Sequence, residues 1–136
     1  MNRLFLISYQ LLIGVSDTLT GALLMTTPAF TLGMMRLHAP ADALPYLSFI
    51  GAFVLSVGLS CLYGAYLMIR WGSRLRLEAV WLLTAIIRAS VAIFVFTQIL
   101  THTLEVGWIT VSVTDGTCVL IQAIGFRKGW LAQVTR

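Results

Sequence analysis

Apolar positions in this chain neither alternate nor recur as short stripes; they run together in long stretches broken by brief polar punctuation. Crossing about 30 Å of hydrocarbon takes roughly 20 helical residues. Four stretches meet that length: Leu4 to Thr26, Pro45 to Ile69, Leu77 to Thr101 and Gly107 to Phe126. The pattern predicts an all-α, integral membrane four-helix bundle with short loops, a single domain over residues 1–136. Arg3 ahead of an apolar run is one feature of a signal peptide. The run continues past Asp17 to Met25 without a small-x-small cleavage site, so the first helix is expected to be retained.

The punctuation between runs carries its own signals. Thr27-Pro28 reads as a helix stop and restart, because proline suits the first turn of a new helix. Ala29 to His38 then places Phe30, Leu32, Met34, Met35 and Leu37 among few polar groups, which predicts a short segment lying in the outer interface. Pro40 and Pro45 bracket the entry to the second long helix, and Asp42 is positioned to cap its first turn. That helix carries Ala52, Ser56, Ser60 and Gly64 at four-residue spacing, with Gly51 and Gly58 on a neighbouring stripe. Small residues let membrane helices approach closely, so it reads as a packing spine, or else as a crevice for a lipid-like ligand. Trp71 to Arg76 forms a short basic loop before the third helix. Trp71, Trp81, Trp108 and Trp130 all fall near span ends, where interfacial anchors belong.

Composition sharpens the class. The chain is 59% apolar and only 10% charged, with mean hydropathy +0.92, far outside the soluble range. Almost nothing remains for a soluble domain, so binding or catalysis would sit inside the bundle or on its loops. The nine Lys and Arg residues include Arg3, then Arg70, Arg74 and Arg76, then Arg127, Lys128 and Arg136. Short cytoplasmic loops retain positive charge, so both termini are expected in the cytoplasm, with Arg36, His38, Asp42, His102 and Glu105 on the outer side. The pI near 9.6 therefore reports topology and contact of a membrane protein with anionic lipid head groups; no basic patch with interleaved aromatics points to nucleic acid. Cys61 and Cys118 lie within spans and behave as small apolar residues.

Three ionisable residues sit in the middle of separate spans: Asp17, Arg88 and Asp115. At 1.5 Å rise per residue each lies within about 3 Å of mid-span, so all three share one layer. Charge at that depth is expensive and is kept where it finds partners. The planar fork of Arg88 fits carboxylates, which predicts an Asp17–Arg88–Asp115 cluster with polar neighbours Gln10, Thr84 and Gln122 at helical spacing. Two readings stay open. The cluster pins helices in register, or it serves a polar head group, a quinone ring or a proton. A small solute or proton carrier is a further alternative, though four helices without an inverted repeat offer little machinery for alternating access.

On the outer side, His38 with Asp42 and His102 with Glu105 have spacings that put two ligands on one side of a helical turn, and these are weak metal candidates. No Ser-His-Asp, Cys-His or phosphate-loop arrangement occurs, so no catalytic residue is assigned and no cofactor is required.

Pro28 to Gly33, the Gly51 to Gly58 stretch ending near Arg70, Arg88-Ala89-Ser90 and Asp115 together resemble the DoxX-like superfamily, in particular its small four-helix members without assigned function. The resemblance implies a four-helix bundle of the bacterial inner membrane. Some members are accessory subunits of quinone-linked redox complexes, which implies other membrane subunits as partners and a bound quinone or lipid as an alternative role. The vicinal cysteines of redox-linked members have no counterpart here.

Overall fold

The computed structural model describes residues 3–70 and 72–134. Trp71 and Arg136, an anchor and a topology signal in the sequence reading, lie outside the described residues. In chain order the helices are α1 (Arg3–Thr26), α2 (Pro28–Met34), α3 (Leu44–Ile69), α4 (Arg74–Leu100), α5 (Ile109–Arg127) and α6 (Trp130–Val134). Short 3-10 turns, Ala41–Ala43 and Val106–Trp108, lead into α3 and α5. Four of these elements are long and apolar enough to cross a membrane. Large apolar side chains stay exposed along them, among them Leu12 at 70%, Phe49 at 65% and Ile93 at 67%. Water would not tolerate such faces, whereas lipid tails are their natural solvent.

The chain divides into two compact units, one ending at Tyr66 and the other beginning at Leu67. In the first unit α1 and α3 pack antiparallel through glycine. A Cβ on Gly14 would meet the Leu62 side chain at 2.8 Å, and one on Gly51 would meet Leu24 Cβ and the Met25 nitrogen at 2.8 Å. Cβ atoms on Gly21 and Gly58 would run into the backbone nitrogens of Leu55 and Thr18. The two helix axes approach as closely as they do because these positions carry no side chain. The packing stripe is therefore Gly51 and Gly58. Of the stripe Ala52, Ser56, Ser60 and Gly64, Gly64 is buried but Ser56 is exposed, and the hydroxyls of Ser56 and Ser60 donate to Ala52 O and Ser56 O on their own helix at 2.8 Å. The four-residue spacing misled because Ser and Ala score as small, yet only glycine admits a neighbouring backbone at these distances.

Helix α2 starts at Pro28, as expected, and ends in a Schellman turn. Leu37 N–H donates to Leu32 O at 2.9 Å and Arg36 N–H to Gly33 O at 3.1 Å. The buried pair Leu32 and Leu37 supplies the apolar contact that accompanies this closure. Arg36 takes the left-handed position at φ 56°, where glycine is favoured. Helix α4 closes in the same manner: Thr103 N–H donates to Gln98 O at 2.9 Å and His102 N–H to Ile99 O at 3.0 Å, with His102 at φ 57°. Asp42 falls inside a 3-10 turn that runs directly into α3, and that turn has no side-chain cap. Helix α4 begins at Arg74, three residues before the apolar run, because Arg-Leu-Arg continues the helix once Ser73 has ended the turn.

The second unit is built on α4 and α5, which pack antiparallel, with α6 folded back against both. Trp81 is wholly buried there, edge-on to Phe126 with centroids 6.1 Å apart. It is a core residue and not the interfacial anchor expected of it; a Cβ on Gly125 would lie 2.6 Å from its ring.

Gly58→Val, and likewise Gly21→Val, should lower the melting temperature in detergent by the equivalent of about 1–3 kcal/mol, as overpacking does. Gly33→Ala, where an added Cβ meets nothing within 4 Å, should melt like the parent. Equal melting of all three variants would refute the glycine seam.

Candidate functional site

The polar residues of the second unit line one seam. On α4 the buried positions are Leu77, Trp81, Thr84, Arg88 and Val95, and on α5 they are Ser112, Cys118, Gln122 and Gly125. Both sets follow helical spacing, and antiparallel packing sets them in order: Trp81 against Gly125, Thr84 beside Gln122, Arg88 beside Asp115, and Ala92 beside Ser112.

Three of these four rungs carry a hydrogen bond. Arg88 Nη1 donates to Asp115 Oδ1 at 2.5 Å, with the arginine side chain 4% exposed and the aspartate 16%. Gln122 Nε2 donates to Thr84 Oγ1 at 2.8 Å, and that hydroxyl in turn donates to Val80 O at 2.8 Å. Ser112 Oγ reaches across to Ala92 O at 2.9 Å. This last bond differs from those of most serines and threonines on the long helices. Ser90, Thr97, Thr114 and Thr117 donate to the carbonyl one turn back on their own helix. A hydroxyl satisfied in that way can face lipid at little cost, whereas one that bonds the neighbouring helix fixes two elements together.

One acceptor on the seam is left over. Gln122 Oε1 is buried and has no hydrogen-bond partner among the described residues. A buried amide oxygen without a donor costs about 1–3 kcal/mol, so it marks a place where a donor would be gained.

Of the residues anticipated at the charged layer, the structure brings Arg88, Asp115, Thr84 and Gln122 into one seam. Asp17 and Gln10 belong to the first unit. Gln10 is buried there on the α1 face that also holds Leu6, Gly14, Gly21 and Leu24, and Asp17 is half-buried. Gln10 Nε2 lacks a partner among the described residues. Sequence reasoning missed the Ser112 crossing, because the direction of a hydroxyl bond leaves no mark on residue spacing, and it missed the burial of Trp81. The three- and four-residue steps from Trp81 through Thr84 to Arg88 were the available signal for the latter.

The outer candidates look different in kind. His102 is exposed and holds the left-handed closing position of α4, and Glu105 is exposed before the following 3-10 turn. His38 lines a shallow cleft of about 290 Å³ with Leu32, Gly33, Leu37 and Leu44. Among the described residues no three His, Cys, Asp or Glu side chains gather as a metal site would require.

Compared with family models, with curated proteins and with solved structures, the chain has no match in any of the three.

Two outcomes follow from the seam. Arg88→Leu should destabilise by about 3–5 kcal/mol, the usual cost of breaking one partner of a buried ion pair, and Arg88→Leu with Asp115→Leu should regain much of it. A double variant as unstable as the sum of the singles would show that the pair does not couple. At the next rung, Thr84→Val should cost about 1–3 kcal/mol because it strands the Gln122 amide, while Gln122→Leu should cost less because it also removes the orphaned oxygen. Thermal melts of the two variants in one detergent decide the order.

Proposed function

We propose that this protein is a small integral membrane accessory subunit that anchors or braces a larger membrane complex and carries no catalysis of its own. The observation that supports it is the use made of the polar groups at membrane depth. Arg88, Asp115, Thr84, Gln122 and Ser112 bond from one helix to the other or to backbone, an arrangement suited to holding register. The helices meanwhile expose broad apolar faces to lipid or to neighbouring subunits. The resemblance to the DoxX-like superfamily points the same way and names quinone-linked redox complexes of the bacterial inner membrane as the setting. Cytoplasmic termini agree with Arg3, Arg70, Arg74, Arg76, Arg127 and Lys128 flanking the spans.

Purification from native membranes in mild detergent should bring down stoichiometric membrane partners. Recovery as a lone monomer from every extraction would overturn the proposal.

A second reading is favoured by one specific observation, the Gln122 Oε1 on the same seam as Arg88, which has no partner among the described residues. An amphiphile that offers a hydroxyl to that oxygen and an acceptor to a guanidinium, such as a quinol and its quinone, would suit both groups. Native mass spectrometry should then show a bound quinone or lipid that Gln122→Leu and Arg88→Leu release. Identical adducts in parent and variants would exclude the seam as its site.

A further inference from the structure

The two ends of the α4–α5 unit are unlike in charge. Antiparallel packing sets the start of α4 beside the end of α5, so Arg70, Arg74, Arg76, Arg127 and Lys128 share one end. All five are exposed. The acid near them is Glu78, and it is taken by Arg74 at 2.7 Å. Arg76, Arg127 and Lys128 make no ion pair among the described residues. The opposite end carries His102 and Glu105.

Two further features give this end its character. Ser73, at the N-cap of α4, makes no side-chain cap bond, and the first turn holds no acid, so the positive end of a 27-residue helix adds to the field of the arginines. Apolar surface begins at once beside the cations: Leu75, between Arg74 and Arg76, is 77% exposed, and Phe126 precedes Arg127 at 36%. Helix α6 folds back over Gly125 through Trp130, whose ring a Cβ there would meet at 3.0 Å, and it leaves Lys128 at the exposed bend.

We propose that this end is a binding surface for anionic phospholipid, with the phosphate held by Arg76, Arg127 and Lys128 and the acyl chains lying on the helix surface that starts at Leu75 and Phe126. A soluble anion would answer the charges alone, and a neutral lipid only the apolar surface. An anionic amphiphile answers both. The proposal is independent of what the Arg88 seam does and of which side of the membrane this end faces.

The full-length protein in a zwitterionic detergent can be melted with added phosphatidylglycerol, phosphatidylcholine or inorganic phosphate. Phosphatidylglycerol should raise the melting temperature above the value with phosphatidylcholine, the difference should shrink as salt is added, and phosphate alone should give little. The triple variant R76Q/R127Q/K128Q should lose the difference while melting like the parent in phosphatidylcholine. By native mass spectrometry, retention of phosphatidylglycerol should fall about fivefold for each cation removed. Should the triple variant fail to purify, K128Q alone, at an exposed helix end, must show its share of that fall. Equal effects of the two lipids on the parent, an undiminished preference in the variants, or full stabilisation by phosphate would each overturn the proposal.

Discussion

Everything in this molecule answers to the shortage of hydrogen-bond partners in hydrocarbon. Backbone groups are satisfied by folding almost the whole described chain into helix. The side chains divide into two populations under the same constraint. Hydroxyls at Ser56, Ser90, Thr97, Thr114 and Thr117 turn back to their own helix and leave no demand on a neighbour. Arg88, Asp115, Gln122, Thr84 and Ser112 make bonds that one helix cannot supply, and they set the register of α4 on α5. Polar residues are thus functional or structural by virtue of where the bond goes, a distinction that a hydropathy profile cannot draw.

The two units solve helix association by different means. Between α1 and α3 the seam is made of absent side chains, with Gly14, Gly21, Gly51 and Gly58 each admitting the opposite helix at distances a Cβ would forbid. Dispersion between close backbones is short-ranged and tolerates no extra methyl group. Between α4 and α5 the seam is polar in the middle and aromatic at one end, where Trp81 fills the space left by Gly125. Glycine at position 125 serves a ring, and glycine at position 58 serves a backbone. The two roles carry different tolerance, because a ring can tilt and a backbone in a helix cannot.

The spans were legible because length and apolarity act on every residue of a segment at once; the helices begin and end within a few residues of the apolar runs. Arg88 and Asp115 were legible for the opposite reason: a single charge at mid-span is costly enough to demand a partner, and two such charges of opposite sign on successive helices have few others to choose. What the sequence concealed was direction around the helix. The stripes at Gly51 and Ala52 differ by one residue, about 100° of rotation, and both read as small. Trp81 lies near a span end in sequence and in the core by rotation. Depth is a sum over many residues, whereas facing depends on one neighbour's shape.

The left-handed residues show how little the chemistry of a side chain need have to do with its position. Arg36 and His102 both stand where a helix closes by a Schellman turn, a place that suits glycine, and Gly129, at φ 64° after α5, fills the equivalent place in the expected way. A polar side chain there leaves the helix end at the point where the chain reaches the interface, so the strain of the left-handed backbone, about 1–2 kcal/mol, is set against keeping a charged or polar group out of the hydrocarbon. His102 had been weighed as a metal ligand from its spacing to Glu105. The backbone gives it a role of its own, as the residue that ends α4 and turns the chain toward α5.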